Sequence, residues 1–223
     1  IPRYDQRRII GYLVLMLKQQ IAEPTLLLTF NTAICSTVGD ICIQKETELL
    51  VKRLDRMYVR DSLTNLYNRF GLHREAEKVM EYAKQIGKKV MGITIDMDRL
   101  KEINDVYGHN AGDNAIVQVA NALRQASEHN EICSRMGGDE YFVFGVVEDE
   151  VEALSYIQRV HDFLGDYNSM NSWPYMIDCS CGYFICEITD EIKLEDIINE
   201  ADQRMYQVKM KKKAVRGEIG RRY

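Results

Sequence analysis

Proline, histidine and long apolar runs are all scarce in this sequence of 223 residues, which has three prolines and four histidines. The most apolar run, Ile9–Leu17, is much shorter than the roughly 20 residues of a membrane-spanning helix, so it is predicted to be a buried strand. There is no Cys-x-x-Cys pair and no recognisable secretory signal. The sequence therefore indicates neither a zinc framework, nor a disulfide scaffold, nor direct membrane contact.

An excess of basic residues is also lacking, since 29 Lys and Arg face 34 Asp and Glu and give a net charge of −5. Such a chain has no overall positive electrostatic field to attract nucleic acid or acidic lipid, so an anionic partner must be bound by a local group of basic residues. Buried reduced thiols in a cytoplasmic protein are the favoured interpretation of the cysteines. In particular, Cys179 and Cys181 would share one face of a strand as small apolar filling. The six cysteines are Cys35, Cys42, Cys133, Cys179, Cys181 and Cys186.

The chain is predicted to have three parts. Residues 1–24 begin at Ile1-Pro2 without a methionine and cannot form a core alone, so they are expected to be the remnant of an upstream sensory region. Residues 25–60 have apolar positions at helical spacing and form a helical linker. Its imperfect heptad pattern fits packing against a second copy or an upstream domain, and almost equally well packing on its own domain. Residues 61–223 form the main domain.

Helices and strands alternate in this main domain. Asn68 is predicted to be the N-cap of its first helix, which is predicted to end at Gly87. The fold class is therefore α/β (α+β), with a mixed central β-sheet flanked by helices and preceded by the helical linker. The predicted helices are 70–86, 100–107, 113–128, 151–164 and 194–213, and the predicted strands are 89–95, 132–136, 141–147 and 175–186.

Two adjacent glycines, Gly137 and Gly138, separate two apolar runs and predict a tight hairpin, because glycine adopts positive φ at little steric cost. Asp139 and Glu140 follow at once. Strand alternation would send these two carboxylates to opposite faces, so one could enter a site while the other supports it. A hairpin with solubilising acids at its tip explains the pattern equally well.

A second acidic stretch, residues 96–113, begins where a core strand ends at Asp96. Its acids could collect a hard cation such as Mg²⁺. Lys101 and Asn104 lie three residues apart on one helical face. Asn104 and Asp113 are the amide and carboxylate suited to the edge of guanine. By charge pattern alone, an acidic and well-capped helical surface is the simpler interpretation.

The two stretches become more informative together. If the strand that ends at Asp96 lies beside the hairpin tip at Asp139, carboxylates from separate segments surround one site. Such an arrangement suits phosphoryl transfer, in which metal ions neutralise a triphosphate and activate an attacking hydroxyl.

Five ordered motifs make the chain resemble the GGDEF family of diguanylate cyclases, which condense two GTP into cyclic dimeric GMP and release pyrophosphate. The resemblance runs from Asp61 to about Lys213 and implies a palm-like nucleotidyl-cyclase sheet. Tyr141 stands where the family has the Phe that ends its namesake motif. The motifs are Asp61-x-Leu63-Thr64-x-Leu66-x-Asn68-Arg69, the segment Asp96 to Asp113, Gly137 to Tyr141, Ser180-Cys181-Gly182, and Ala201-Asp202-x-x-Met205-Tyr206-x-x-Lys209.

The resemblance also implies roles for individual residues. Asp96, the Met97 carbonyl, Asp139 and Glu140 would form a site for Mg²⁺ or Mn²⁺, and Asp139 would accept the proton of the 3′-hydroxyl. Lys101 would stabilise charge on the phosphates. The implied substrate-binding residues are Asn104 and Asp113 on guanine, His109 near the substrate, and Lys209 and Lys213 on the terminal phosphates.

Two copies must face each other to make the cyclic product, so the resemblance implies a homodimer. A catalytically inactive domain that binds GTP or a cyclic dinucleotide is the alternative, as is another nucleotidyltransferase on the same scaffold. Two departures from the family pattern matter. Glu128 and Glu131 occupy the positions of its inhibitory Arg-x-x-Asp, which predicts no feedback inhibition there, and Val208 and Lys212 replace the usual Ala and Gly of the last helix.

Overall fold

A computed structural model describes residues 2–5, 8–12, 24–129, 131–170 and 173–216. The chain divides into two compact units, residues 1–56 and residues 57–223. In the first unit, strands β1 (Pro2–Asp5) and β2 (Arg8–Tyr12) pair antiparallel. The predicted strand Ile9–Leu17 is thus seen as far as Tyr12, and residues 13–17 lie outside the described part. Helix α1 (Pro24–Val59) follows, as the sequence predicts, and all its residues from 40 to 51 are exposed.

The second unit is built on a four-stranded sheet in the order β4-β5-β3-β6. Within the described residues, every pair of named strands in it is antiparallel. Its elements are α2 (Arg69–Ile86), β3 (Lys89–Met97), α3 (Leu100–Tyr107), α4 (His109–Ala126), β4 (Ile132–Gly137), β5 (Glu140–Val147), α5 (Glu150–Met170), β6 (Cys179–Glu187) and α6 (Leu194–Val215). This architecture confirms the predicted class of a central sheet flanked by helices.

Among the residues that the structure describes, the only parallel pairing, which a mixed sheet requires, is an isolated bridge between Tyr67 and Ser134. The hairpin explains this difference. The helical crossover α3–α4 makes β3 and β4 run in the same direction, but β5 returns between them and pairs with both. The two parallel strands are therefore not neighbours.

Strand β3 is buried on both faces, which gives the domain two apolar layers. Odd-numbered residues such as Ile93 and Ile95 pack with α4 and α5. Even-numbered positions face the opposite side, where Val90 joins the cluster formed by α2, α6 and the even residues of β5. Because side chains alternate along a strand, Asp96 lies on the α6 side of the sheet.

Helix α2 begins as predicted, since the Asn68 side chain accepts a hydrogen bond from the Gly71 N–H at 2.9 Å. Its end is also as predicted, with Gly87 in the left-handed region at φ 66°. Helix α4 begins at His109 rather than Asp113, because the Gly108 carbonyl accepts from the Ala111 and Gly112 N–H groups.

Strand β6 begins at Cys179 rather than at the predicted Tyr175, and α5 extends to Met170 instead of ending at Leu164. The extra turns of α5 carry Asn168, whose side chain donates to the Ile177 carbonyl and accepts from the Ile177 N–H. This clamp occupies both backbone groups that a strand ladder would use, so the segment before Cys179 is not a strand.

Candidate functional site

The two acidic stretches meet at one end of the sheet. Asp96 on β3 is paired in register with Glu140 on β5, and the Met97 N–H donates to the Asp139 carbonyl at 3.0 Å. In the turn between β4 and β5, Gly138 has φ 55°, a backbone conformation that residues with a Cβ adopt only with strain. The hairpin turn thus places Asp139 beside the carboxyl end of β3.

Asp96 is a buried carboxylate, 6 % exposed, whose Oδ1 accepts a hydrogen bond from Lys209 Nζ at 2.6 Å. Burial raises the pKa of Asp96, and the Lys209 ammonium opposes that rise. The carboxylates of Asp139 and Asp98 add to it, which reflects how close the three acids lie. Two of these acids, Asp96 and Asp98, are thus buried, whereas Asp139 is half-exposed.

A guanidinium holds the turn from behind. Arg135 donates from Nε and Nη2 to the Gly138 carbonyl, at 3.0 and 2.8 Å, and from Nη1 to both oxygens of Asp61. Asp61 also accepts from the backbone N–H and the hydroxyl of Thr64. Burial alone would raise the pKa of Asp61, but the Thr64 hydrogen bonds and the Arg135 charge outweigh it and lower the pKa. Asp61, at the start of the domain, is thus tied to the Gly-Gly turn.

Replacing Asp61 with Asn is expected to lower the free energy of unfolding by roughly 2 kcal/mol, because a charge-assisted hydrogen-bond set is lost. Since the folded-state pKa of Asp61 lies below its ordinary value of 3.8, its stabilisation is present above that pH and disappears as the pH falls through the folded-state pKa. Urea unfolding from neutral to acid pH should therefore show the gap between the two proteins closing in acid. The exposed Asp166→Asn is the matched control, and an equal loss there would contradict this interpretation.

The predicted guanine-binding residues lie on α3 and α4. Asn104 is half-buried, and its Oδ1 would be only 2.0 Å from a Cβ added to Gly112, so the amide packs on the residue that precedes Asp113. The structure thus brings Asn104 next to the backbone before Asp113. Lys101, His109 and Asp113 themselves are exposed.

A second charged network beside Asp96 was missed by sequence reasoning. Asp98 is 5 % exposed and accepts hydrogen bonds from the Ser180 hydroxyl at 2.9 Å and from Lys212 Nζ at 3.0 Å. Lys212 also donates to Asp178 at 2.9 Å, and Arg216 donates to the same carboxylate at 3.1 Å. The available signal was Lys212 itself, one of the two departures from the family pattern noted in the sequence.

The adjacent lysines of α6 therefore differ in environment. Lys212 points to two carboxylates, whereas Lys213 is exposed. We expect Lys212→Met to lower the free energy of unfolding by roughly 2 kcal/mol, because it leaves the buried Asp98 poorly compensated. Lys213→Met should change it by less than about 0.5 kcal/mol. Chemical unfolding of both variants measures the contrast, and equal losses would contradict the assignment of Lys212 to this network.

The aromatic residue that follows the acids is fully buried. Tyr141 is 0 % exposed, and its hydroxyl donates to the Ile116 carbonyl of α4 at 2.9 Å. The hydroxyl that distinguishes it from Phe is thus satisfied inside the core. Tyr141 ties the hairpin to the helix that carries Asp113.

The donor set at Asp96 fits a hard divalent cation. The side chains of Asp96, Asp139 and Glu140 offer only oxygen ligands, which Mg²⁺ and Mn²⁺ prefer, and Mg²⁺ keeps several water or phosphate ligands besides one or two carboxylates. Asp98 is more fully occupied, because the Ser180 hydroxyl bonds its Oδ1 and the Lys212 ammonium its Oδ2, whereas Lys209 bonds Asp96 at Oδ1. In the described parts of the chain, no helix is both long and apolar enough to cross a bilayer.

Comparison with known proteins gives consistent matches. The family model described as diguanylate cyclase, GGDEF domain, matches residues 58–214, more than two thirds of the chain. The probable diguanylate cyclase DgcJ of Escherichia coli K12 is 33 % identical over 163 residues, which cover 73 % of this chain and 32 % of DgcJ. The diguanylate cyclase DgcP of the same organism is 32 % identical over 154 residues, covering 68 % of this chain and 45 % of DgcP. The chain thus spans less than half the length of these relatives.

Among solved structures, the coiled coil and GGDEF domain of DgcB from Caulobacter crescentus, in complex with c-di-GMP, superposes with a TM-score of 0.69. It is 20 % identical, and the match covers 82 % of this chain and 95 % of that one. At this identity the superposition shows a shared fold.

Proposed function

Because this chain belongs to the GGDEF family of diguanylate cyclases, we propose that it condenses two GTP into cyclic dimeric GMP and releases two pyrophosphates. The observation that carries the proposal is the meeting of Asp96 and Asp139, where the backbone of Met97 bonds that of Asp139 at the end of a buried strand. Phosphoryl transfer needs such a concentration of fixed charge at the reacting phosphate.

The proposed catalytic roles are those that the family resemblance implies for these residues. The Asp139 carboxylate takes the proton of the 3′-hydroxyl as that oxygen attacks an α-phosphate. Asp96, the Met97 carbonyl, Asp139 and Glu140 hold the divalent cation, Mg²⁺ or Mn²⁺. When bound, that cation supplies charge neutralisation at the phosphates and lowers the pKa of the attacking hydroxyl.

The cations of the chain act on the phosphates. Lys209 Nζ contacts Asp96 Oδ1 at 2.6 Å, and in the proposal its ammonium also meets the terminal phosphates of GTP. Exposed Lys213 reaches the same phosphates from one turn further along α6, and Lys101 stabilises charge as it develops during attack. Lys213→Met should therefore raise KM for GTP without unfolding the domain.

Guanine recognition is assigned to α3 and α4. Asn104 donates to and accepts from the base edge, Asp113 accepts from its amino and ring N–H groups, and His109 lies at the start of the same helix near the substrate. The contact of Asn104 with Gly112 supports this pairing, because it fixes the amide close to Asp113. Adenine has no N–H pattern that fits both groups, so ATP should bind poorly.

The cyclic product requires two attacks related by symmetry, so two domains of residues 61–223 must face each other. We assign residues 25–60 as the linker that brings them together and transmits a signal from an upstream sensory region, of which residues 1–24 are the remnant. The exposed apolar side chains of α1, such as Ile41 and Leu50, support this role. Turnover per chain should then rise with protein concentration. A rate per chain that is independent of concentration would argue against dimer control.

The decisive experiment incubates the protein with GTP and either Mg²⁺ or Mn²⁺ and identifies the products by mass. Cyclic dimeric GMP with pyrophosphate supports the proposal. A linear or different cyclic product indicates another nucleotidyltransferase, and tight GTP or cyclic dinucleotide binding without turnover indicates an inactive receptor.

Adding cyclic dimeric GMP tests product inhibition. Glu128, which pairs with Arg159, and Glu131 should prevent the product from binding at the inhibitory position. A cytoplasmic location, where GTP is available and thiols stay reduced, is part of the proposal.

A further inference from the structure

Three soft ligand atoms converge where β6 packs under α5, away from the carboxylates at Asp96. His161 of α5 and Cys179 and Cys181 of β6 place one ligand atom each within 4.8 Å of one another. Within the described residues, no other set of three His, Cys, Asp or Glu side chains is this compact. Both thiols are buried, at 0 % and 7 % exposure, and half-buried His161 lies on the solvent side.

We propose that His161 Nε2, Cys179 Sγ and Cys181 Sγ form a binding site for a thiophilic divalent transition metal, of which Zn²⁺ fits the ligands well. The sequence alone favours small apolar filling for the two cysteines, because it gives no sign that a histidine 18 residues away stands over them. The fold supplies that third ligand. One coordination position remains open for water or another small ligand, as in Cys₂His sites.

The spacing of the sulfur atoms matches tetrahedral coordination. Two thiolates at about 2.3 Å from a tetrahedral ion lie about 3.8 Å apart, and a thiolate and an imidazole nitrogen lie about 3.6 Å apart. Cys179 Sγ and Cys181 Sγ are 3.7 Å apart, and Cys181 Sγ is 4.0 Å from His161 Nε2. The third spacing, between Cys179 Sγ and a nitrogen of His161, is at most 4.8 Å, so the imidazole would move inward by no more than about 1 Å to close the site on an ion.

The other nitrogen of the imidazole faces a carboxylate. His161 Nδ1 lies 3.8 Å from Asp178 Oδ1, while Nε2 faces Cys181. Metal-binding histidines typically direct their second nitrogen to a carboxylate or carbonyl, which fixes the ring and its tautomer. Asp178 is itself held by Lys212, Arg216 and the Cys179 N–H.

The thiol pair is also disposed to ionise at one sulfur. The hydrogen bond from Cys179 lowers the pKa of Cys181, despite burial, and His161 acts in the same direction, whereas that hydrogen bond and burial raise the pKa of Cys179. A thiolate is the form of cysteine that binds metal ions. Cys181 is thus the sulfur closer to its metal-binding form.

A disulfide is the main competing interpretation, and strand geometry disfavours it. Residues two apart on one strand have Cα atoms about 6.6 to 6.8 Å apart, at the upper limit for a disulfide. The observed sulfur separation of 3.7 Å is that of two thiols in contact. Hard cations are also excluded from this site, since Mg²⁺ prefers oxygen ligands, which the Asp96 site provides instead.

The experiment uses the whole chain, reduced, treated with a chelator and desalted, and then given Zn²⁺ alone. After dialysis, metal analysis should find about one tightly held Zn²⁺ per chain, the number that one three-ligand site takes. Co²⁺ in place of Zn²⁺ should give an intense thiolate-to-cobalt charge-transfer band. At a free Zn²⁺ concentration about 100 times Kd, Tm should rise by roughly 5 to 10 °C.

Matched variants locate the ion. Cys179→Ser, Cys181→Ser and His161→Asn should each lose the retained Zn²⁺ and the charge-transfer band. Cys186→Ser, on the same strand but the opposite face, should keep both, as should the exposed His129→Asn. Circular dichroism checks that each variant folds, and His161→Asn, at a half-buried position, is the variant least disturbing to the core.

Three results would overturn the proposal. The first is the absence of a thiolate-to-cobalt charge-transfer band when the unsubstituted protein is given Co²⁺. This result does not depend on any variant. A second is Zn²⁺ retention that survives Cys181→Ser but is lost with Cys35→Ser or Cys42→Ser. The third is an internal Cys179–Cys181 disulfide found by mass in place of bound metal. None of these measurements involves GTP, so they stand or fall independently of the proposed cyclase activity.

Discussion

Asp139→Asn is expected to reduce the formation of cyclic dimeric GMP by about 10²- to 10⁴-fold, the range typical of losing a general base. The amide keeps the size of the carboxylate but cannot take the proton of the 3′-hydroxyl, and it is a poorer ligand for a divalent ion. Folding should be little affected, because the Asp139 contact with β3 is made by its backbone carbonyl. Initial rates with GTP and Mg²⁺ measure the loss.

The control for this variant is Asp166→Asn, which makes the same carboxylate-to-amide change at an exposed position on α5. It should leave turnover within about twofold of the natural sequence, since surface substitutions rarely have larger effects. GTP binding measured separately distinguishes a chemical defect from lost affinity. An Asp139→Asn protein with more than about one tenth of the natural turnover would exclude Asp139 as the general base.

Gly182→Ala is expected to lower the free energy of unfolding by roughly 3 kcal/mol and to disable the site together with the fold. A Cβ at Gly182 would lie 2.0 Å from the Met205 nitrogen and 2.5 Å from the Ala201 carbonyl oxygen. Both atoms belong to the backbone of α6, so no side-chain rotation relieves the clash. The helix must move away from β6, and it carries Lys209 with it.

Thermal and urea unfolding measure this effect, and Gly165→Ala provides the control. Gly165 lies in helix α5 with open space around its Cβ position, so alanine there should raise the free energy of unfolding by about 0.5 to 1 kcal/mol. If Gly182→Ala lowers the free energy of unfolding and Gly165→Ala raises it, close packing at Gly182 is the cause of the loss. A Gly182→Ala protein as stable as the natural sequence would show that α6 can shift freely.

Local signals in the sequence were sufficient to predict most element boundaries. Asn68 and Gly87 bracket α2 because a capping side chain and a left-handed glycine act on their own neighbours. The meeting of Asp96 with Asp139 was also predictable, since a strand end and a Gly-Gly hairpin both mark the edge of a sheet.

Features that depend on distant partners were not predictable. The Asn168 side chain forms hydrogen bonds with the backbone of Ile177 and thereby keeps residues 175–178 out of β6. Nothing near Ile177 in the sequence indicates this contact. Lys212 lies in a run of lysines typical of a solvated helix end, yet its ammonium bonds the buried Asp98. Cys179 and Cys181 likewise acquire His161 as a neighbour only through the packing of α5.

Strand β3 has β5 on one side, β6 on the other and an apolar layer on each face. Its amide hydrogens can therefore exchange with solvent only when the sheet itself opens, whereas the exposed ends of α3 and α4 can open locally. The carboxylate end of the site is thus rigid before any ligand arrives. In the proposed function, adjustment to the shape of a nucleotide is left to the exposed segment around Lys101 and His109.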